Sequence, residues 1–141
     1  MKFNSSMIKM WSRIGSRASF GMAALELGKI YNDLIIISGD TSTSAGLERF
    51  KTNFPNKYLD VGIAEQNMMG IAAGLSSEGH RVFTTTFAPF QTMRCCEQIK
   101  VNLGYMNHKV IMVGLASGLS LGMLGYTHCS IEDVGVLRSI P

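Results

Sequence analysis

The chain has 141 residues, of which 46% are hydrophobic and 16% are charged, and its net charge is +3. This length and balance fit one α/β domain with a well-covered core, and the small, scattered charge argues against a nucleic-acid partner. Basic residues are concentrated at the N-terminus, where Lys2, Lys9, Arg13 and Arg17 precede the first acid, Glu26. A loose basic segment is common at domain ends, although an organellar presequence has a similar composition.

The three cysteines, Cys95, Cys96 and Cys129, have no spacing typical of a disulfide framework or a zinc site. We therefore expect reduced thiols and a cytoplasmic protein. The uncharged segment 110–127 is long enough to cross a bilayer, but its glycines and serines make it a poor membrane helix. We predict instead a buried strand followed by a glycine-rich loop, and no membrane partner.

Helix-like and strand-like periodicities alternate along the chain. The predicted elements, in chain order, are a helix over 19–31, a strand over 33–38, a short helix over 45–50, a strand over 57–61, a helix over 64–76, a strand over 81–86, a helix from 89 to about 103, a strand over 108–113 and a helix over 131–139. This alternation predicts an α/β fold, with a mostly parallel sheet and helices on both faces. Ligands bind such sheets at the carboxyl ends of the strands. We expect a site in the loops 39–44, 62–65, 86–90 and 114–128.

Glu65 is the leading candidate for chemistry, because it lies in the first turn of a predicted helix, just after a strand and Gly62. An acid there has two explanations. It can simply favour the helix start through the helix dipole, or it can be a buried acid that shares a proton with a ring nitrogen of a bound heterocycle. Phe83, Phe87 and Phe90 surround the end of the third strand, where they can pack in the core or present a ring to a flat ligand.

Two other polar residues follow strand ends. His128 comes after the glycine-rich loop, and a lone histidine in that position is more often structural than catalytic. A dyad with Cys129 is rejected, because adjacent residues in an extended segment point apart. Asp40 follows the first strand and can cap a turn. The sequence has no dinucleotide fingerprint, no Walker loop and no zinc-protease motif, so it indicates neither a dinucleotide nor a metal bound by this chain.

Five blocks of the chain, in this order and spacing, resemble the pyrimidine-binding domain of the transketolase family. They are Ser16-Arg17-Ala18-Ser19-Phe20-Gly21, Ser38-Gly39-Asp40 with Ser42 and Ser44, Asp60-Val61-Gly62-Ile63-Ala64-Glu65-Gln66-Asn67 with Ala72-Ala73-Gly74-Leu75, Thr86-Phe87-Ala88-Pro89-Phe90, and Gly125-Tyr126-Thr127-His128. The likeness is greatest to the C-terminal section of split, two-subunit transketolases. It divides the chain into an N-terminal extension over 1–16 and the domain over 17–141, which we expect to be truncated at its C-terminal end.

The resemblance implies an enzyme that uses thiamine diphosphate. In that family, the acid that matches Glu65 hydrogen-bonds N1′ of the cofactor's aminopyrimidine ring and so activates the cofactor. Phe90 matches the ring that stacks on the pyrimidine, and Phe87 lines the same pocket. Ile63 matches the bulky residue that supports the bent shape of the cofactor, and Asp40 matches an acid near the cofactor at the rim of the domain.

The resemblance also implies transfer of a two-carbon ketol unit between sugar phosphates. Arg17 and Ser44 match positions that hold the sugar phosphate, and an arginine suits that contact. His128 matches a residue that touches the substrate near its reacting end, so it joins Glu65 as a catalytic candidate. Leu124 stands where full-length transketolases have an acid that contacts a substrate hydroxyl, and Tyr126 stands where proline is usual. These departures leave the ketose and the aldose open.

In this family, the diphosphate and its magnesium ion are held by a different domain. We therefore expect a homodimer, a complex with a diphosphate-binding transketolase subunit, or both, and no metal ligand in this chain. Two enzyme alternatives share the domain, namely deoxyxylulose phosphate synthase and the beta subunit of a 2-oxo acid dehydrogenase. A non-enzyme alternative is a truncated remnant that only pairs with a partner subunit.

Overall fold

A computed structural model describes residues 4–141 and contains, in that part of the chain, one sheet of four parallel strands. The strands are β1 (Leu34–Ser38), β2 (Tyr58–Asp60), β3 (Arg81–Phe87) and β4 (Val110–Leu115). Their order in the sheet is β2-β1-β3-β4. Residues 1–3, and with them Lys2 of the basic N-terminal segment, lie outside the described residues. The prediction of an α/β fold with a parallel sheet is confirmed.

Helices cover both faces of this sheet. They are α1 (Ser5–Ile30), α2 (Glu48–Asn53), α3 (Glu65–Ser77), α4 (Ala88–Gln91), α5 (Cys96–Gln98), a π-helix (Ile99–Tyr105) and α6 (Asp133–Leu137). Single 3₁₀ turns lie at Pro55–Lys57, Gly122–Leu124 and Tyr126–His128. The uncharged segment 110–127 therefore contains β4 and a loop. No helix among residues 4–141 has both the length and the apolar character needed to span a membrane.

Strand β1 joins the two layers of the core. Ile36 packs in one cluster with Ala24 of α1 and Phe50 of α2, whereas Ile37 packs in another with Met68 of α3. All five side chains are fully buried. Successive side chains of a strand point to opposite faces, so a strand covered on both sides must be apolar at nearly every position. This requirement explains the continuous run of leucine and isoleucine in β1.

The first helix begins earlier than predicted. Its N-terminal cap is Asn4, whose side chain accepts a hydrogen bond from the backbone N–H of Met7 at 2.8 Å. Gly15 interrupts the helix with φ +80°, a conformation that glycine adopts without steric cost. The predicted extension over 1–16 is therefore helical from Ser5 and joins the rest of α1 across the bend at Gly15.

The predicted helix from 89 to 103 is wrong as a single element. Helix α4 ends at Gln91, and turns separate it from α5 and the π-helix. The buried Gln91 side chain donates to Thr84 Oγ1 in β3 at 2.8 Å, and Thr92 Oγ1 donates back to the carbonyl of Ala88 at 2.8 Å. Hydrogen bonds of the second kind compete with the helical ladder and bend it. Tertiary contacts thus override the helical periodicity here.

The predicted short helix over 45–50 is displaced to α2, which begins at Glu48. The Ser42 and Thr43 hydroxyls both donate to Glu48 Oε1, at 2.6 and 3.0 Å. These hydrogen bonds hold residues 41–47 in turns, in keeping with the tendency of serine and threonine to stabilise turns. The predicted strands and the helix over 64–76 have the observed type, with ends that shift by one or two residues.

Helix α1 approaches the loop after β1 very closely. A Cβ at Gly21 would lie 2.2 Å from the carbonyl oxygen of Gly46, and a Cβ at Gly46 would lie 3.0 Å from the carbonyl oxygen of Arg17. The Arg17 side chain also donates to the carbonyl of Thr43 at 3.0 Å. The two glycines therefore set the distance between α1, which carries Arg17, and the loop that carries Ser44.

We predict that Gly21→Ala lowers the free energy of unfolding by about 1–3 kcal/mol, because the added methyl group overlaps a backbone oxygen that cannot turn aside. Gly70→Ala in α3 is the matched control, since a Cβ there has no neighbour within 4 Å. It should raise stability by about 0.5–1 kcal/mol through its effect on the unfolded chain. Urea unfolding measures both, and a Gly21→Ala protein as stable as the parent would contradict the close approach.

Candidate functional site

The Glu65 carboxylate lies buried at the first residue of α3. The residue is 3% exposed, and Oε1 accepts a hydrogen bond from Arg94 Nη1 at 2.8 Å. The N-cap residue, Ala64, supplies no side-chain cap. A buried carboxylate is costly unless it is paired, and the guanidinium provides the pairing. The acid is therefore buried, as the second of the two explanations requires, and a role confined to starting the helix does not explain that burial.

A closely packed glycine and an unpaired hydroxyl lie beside this carboxylate. A Cβ at Gly39, directly after β1, would lie 3.3 Å from Glu65 Cγ and 3.6 Å from Thr86 Oγ1. Thr86 Oγ1 is buried and has no hydrogen-bond partner among the described residues. Because buried polar atoms are nearly always satisfied, an unpaired hydroxyl next to a buried acid suits a polar ligand.

Three aromatic rings form a cluster at the end of β3. The His128 ring lies 5.2 Å from the Phe90 ring and 5.9 Å from the Phe87 ring, centroid to centroid, and the two phenylalanine rings are 6.2 Å apart. All three contacts are edge-on, which is a favourable geometry for aromatic pairs. The structure therefore places His128 against Phe87 and Phe90, which the sequence analysis had selected together. Phe83, in contrast, packs against the core cluster of α1 and α2.

Arg94 connects the aromatic cluster to the acid. Its guanidinium carbon lies 4.0 Å from the centroid of the Phe90 ring, while Nη1 donates to Glu65. Stacking and hydrogen bonding at once is characteristic of the planar guanidinium. Glu65, Arg94 and Phe90 thus form one continuous site at the carboxyl edge of the sheet.

A second cavity, of about 410 Å³, adjoins this site through Phe87. Arg17 and Ser44 lie on its wall, as do Leu121 and Leu124 from the loop after β4. Arg17 is exposed, and its Nη2 donates to the Thr43 carbonyl. The two residues predicted to hold a phosphate are therefore in the same cavity. Its far wall is apolar.

Asp40 and Ile63 are not drawn into the aromatic cluster. Ile63 is 76% exposed and shares a shallow depression with Glu65 and Arg94. Asp40 is exposed at the end of β1 and has φ +56°, which is uncommon for a residue other than glycine. Their predicted contacts with a cofactor stay predictions.

Asp60 organises the rim on which these two residues lie. Its Oδ1 accepts hydrogen bonds from the backbone N–H groups of Asp40 at 3.0 Å and Gly62 at 2.9 Å, and Oδ2 accepts from the Tyr58 hydroxyl at 2.9 Å. Burial raises the pKa of Tyr58 to about 12, so its hydroxyl stays protonated and donates. One carboxylate therefore joins the loop after β1 to the loop after β2.

The sequence analysis did not single out Arg94 or the role of Asp60. Arg94 lies four residues after Phe90 in the predicted helix, a spacing that places two side chains on one helix face and was a usable signal. Asp60 lies two residues before Gly62, and aspartate commonly accepts a hydrogen bond from the backbone N–H two residues on. Among residues 4–141, no group of three or more His, Cys, Asp or Glu side chains is placed to hold a metal ion.

Cys95 lies in the core beside this site, and the charges of Glu65 and Arg94 affect the pKa of its thiol. It is fully buried, and its thiol donates to the carbonyl of Phe90 at 3.2 Å. Burial, and next the negative charge of Glu65, raise the pKa of Cys95 to about 12, against the opposing effect of Arg94. The thiolate is the reactive form of cysteine.

We predict that Cys95 resists alkylation in the folded chain. With a pKa of about 12, only about one thiol in 10⁴ is ionised at pH 8. Iodoacetamide labelling followed by peptide mapping should show Cys96, which is half-buried, modified well before Cys95. All three cysteines should react in denaturant. Equal labelling of the two adjacent cysteines in the folded chain would contradict the burial of Cys95.

Comparison with known proteins identifies this arrangement. The family model described as "Transketolase, pyrimidine binding domain" matches residues 12–141. An apulose-4-phosphate transketolase subunit of Phocaeicola vulgatus is 38% identical over 128 residues, which cover 91% of this chain and 41% of that protein. The 6-deoxy-6-sulfo-D-fructose transketolase subunit SqwH of a Clostridium species is 36% identical over 117 residues, which cover 83% of this chain and 36% of that protein.

A solved structure described as "Split gene transketolase, inactive beta4 tetramer" superposes on this chain with a TM-score of 0.75 at 35% identity. The match covers 89% of this chain and 40% of that one. The chain thus spans about two fifths of the length of each of these three relatives. These matches confirm the resemblance inferred from the five sequence blocks: the chain belongs to the family of transketolase pyrimidine-binding domains.

Proposed function

We propose that this chain supplies the pyrimidine-side half of a thiamine diphosphate site in a two-subunit transketolase. The observation that carries the proposal is the buried Glu65 carboxylate, set beside the stacking face of Phe90 and the unpaired Thr86 hydroxyl. The names of the relatives support it, because two of them are transketolase subunits. The proposed activity is transfer of a two-carbon ketol unit between sugar phosphates.

The residues of the site fit the aminopyrimidine ring. Glu65 would hold a proton at N1′, Phe90 would stack on the ring, and Phe87 would close the pocket beside it. The unpaired Thr86 hydroxyl would give a polar heterocycle a hydrogen-bond partner at the strand ends. The burial of Glu65 would exclude water from the hydrogen bond to N1′ and strengthen that bond. When bound, thiamine diphosphate supplies the carbon that carries the ketol unit.

Two rim residues complete the proposed cofactor site. Ile63 projects from the loop before α3 and is 76% exposed, which leaves it free to support the middle of the cofactor. Asp40 lies on the neighbouring loop, which Asp60 holds by a hydrogen bond to the Asp40 backbone N–H. We assign both to the part of the cofactor that extends beyond the ring.

The substrate end of the site is the cavity that adjoins Phe87. Arg17 and Ser44 would bind the phosphate of the sugar, since a guanidinium and a hydroxyl together suit that group. His128, in contact with Phe87 and Phe90, would contact the substrate near the reacting carbon. The names of the relatives include apulose-4-phosphate and a sulfo-fructose, so sugars differ within the family. Leu124 makes the wall of this cavity apolar at a position where an acid would contact a hydroxyl group of the substrate.

The diphosphate and Mg²⁺ are assigned to another chain or domain. Among the described residues, no cluster of three or more His, Cys, Asp or Glu side chains is placed to hold a metal ion, and the chain spans 41% of the length of a relative that is itself a subunit. We propose a diphosphate-binding subunit as the partner, with further association as a homodimer. The unit over 17–141 would be the domain and 1–16 its extension. Free thiols at all three cysteines agree with a cytoplasmic location.

We predict that Glu65→Gln, in the assembled enzyme, slows hydrogen–deuterium exchange at C2 of bound thiamine diphosphate by about 10²–10⁴-fold. The amide has nearly the shape of the acid but cannot hold the ionisable proton at N1′. Glu78→Gln, an exposed glutamate at the end of the same helix, is the control and should exchange at the parent rate. Parent-like exchange in Glu65→Gln would reduce Glu65 to a structural residue and remove the basis of the proposal.

We also predict that the 141-residue chain alone shows no ketol transfer when thiamine diphosphate and Mg²⁺ are added, because its described residues provide no site for the metal. The solved relative described as an inactive tetramer agrees with this expectation. A coupled assay with sugar phosphate donors and acceptors measures it. Turnover by the chain alone would show that no diphosphate-binding partner is needed. A partner that completes cofactor binding without turnover would favour the remnant alternative.

A further inference from the structure

We propose that Arg94 fills the aminopyrimidine position when no cofactor is bound, and that its side chain must leave before the ring can enter. The inference rests on the proposed function, because it concerns the same site. Arg94 makes two contacts there: Nη1 lies 2.8 Å from Glu65 Oε1, and the guanidinium carbon lies 4.0 Å from the Phe90 ring centroid. These are the two groups that would hold the ring.

A guanidinium can stand in for an aminopyrimidine because the two groups present the same surfaces. Each is flat and can stack on a phenylalanine face, and each can form a hydrogen bond with the Glu65 carboxyl group in its own plane. The guanidinium donates that hydrogen bond, whereas N1′ of the pyrimidine would share a proton with the acid. Glu65 is almost completely buried. The guanidinium covers one face of the Phe90 ring and occupies one carboxylate oxygen, Oε1. A second flat group cannot take that ring face and that oxygen at the same time. Arg94 and the cofactor ring are therefore mutually exclusive.

The arrangement also explains how the acid stays buried without a ligand. Removing a charged carboxylate from water is strongly unfavourable unless an opposite charge or several donors replace the water. Arg94 is the partner that the structure provides. Arg94 thus stabilises the ligand-free site with the same contacts that obstruct it.

The Arg94 side chain can leave while its backbone stays in place. The carbonyl of Arg94 accepts a hydrogen bond from the Gln66 side chain at 3.0 Å, and its N–H donates to the carbonyl of Pro89 at 3.3 Å. The side chain itself is 41% exposed. It therefore lies at the open rim of the site, and rotation about its side-chain torsions moves the guanidinium into water without unfolding any element.

The consequence is a lowered apparent affinity for the ring. When a binding-competent form is only a fraction of the molecules, the apparent Kd rises by the inverse of that fraction. If Arg94 fills the position in about nine molecules of ten, the apparent Kd is about tenfold weaker. A variant that lacks the guanidinium but keeps the apolar part of the side chain should therefore have an apparent Kd about tenfold lower than the parent.

The test is calorimetric titration of the folded 141-residue chain with 4-amino-5-hydroxymethyl-2-methylpyrimidine, the ring portion of the cofactor. Arg94→Met should bind this probe about tenfold more tightly than the parent. Arg49→Met, on the exposed surface of α2 on the other face of the sheet, is the matched control and should bind like the parent. Arg94→Lys keeps a positive charge near Glu65 but has no plane to stack, so its affinity should lie between the two.

The outcomes separate the two proposals. Equal, measurable binding by the parent and Arg94→Met would overturn the role of Arg94 and leave the proposed function standing. Weaker binding by Arg94→Met would also overturn the role of Arg94, since the arginine would then contribute to binding of the ring. Absence of binding in every folded variant at millimolar probe would overturn the proposed function itself.

A second measurement does not depend on the stability of a variant. In the parent chain, the NMR signals of the Arg94 guanidinium should carry a ring-current shift from Phe90. They should move to the position of a solvated arginine as the probe is added. Signals already at the solvated position in the free chain, or signals that do not change on probe binding, would overturn the proposal.

Discussion

The burial of the Glu65 carboxylate is the constraint around which the carboxyl edge of the sheet is built. An exposed ion pair contributes about 0–1 kcal/mol, but a buried carboxylate that loses its partner costs about 3–5 kcal/mol. The Glu65 side chain is almost completely buried, whereas the Arg94 side chain is 41% exposed. The ion pair is therefore asymmetric: the Glu65 anion cannot reach water, and the Arg94 cation can.

That asymmetry gives the site its chemical character. The acid is held by the first turn of α3, close to Gly39 and to the unpaired Thr86 hydroxyl. Its partner comes from the irregular segment between α4 and α5, where the helix is interrupted. Because Glu65 is fixed and the Arg94 side chain can turn into water, Glu65 could exchange the guanidinium for another flat group without a change in the core. A fully buried pair could not do so.

Parallel strands bring the remaining parts of the site to the same edge. Glycine contacts set the spacing between α1 and the loop after β1, which places Arg17 and Ser44 on one cavity wall. Asp60 then links that loop to the loop before α3. Residues far apart in the chain thus become neighbours through close glycine contacts and the hydrogen bonds of one carboxylate. No single one of these contacts involves the reacting groups.

The parts of this structure that follow from local rules could be predicted from the sequence. The apolar run of β1 predicts a strand buried on both faces, and Glu65 could be placed at the start of a helix beside a strand end. The break after Gln91 could not be predicted, because it depends on a hydrogen bond to Thr84 in another element. The Glu65–Arg94 pair joins residues 29 positions apart. The assignment of Glu65 to a ring nitrogen came from the family resemblance, since position alone left both explanations open.

The most direct test of the account is to locate the ring-binding surface on the chain. The free pyrimidine probe would be titrated into ¹⁵N,¹³C-labelled protein, and the perturbed NMR signals would be assigned. The account predicts changes at Phe87, Phe90, Arg94 and His128, at the carboxyl edge of the sheet. Signals of His80 and Lys109, beside the opposite edge, should stay unchanged. Perturbations centred on that opposite edge, or spread evenly over the surface, would contradict the central claim that this chain holds the pyrimidine ring.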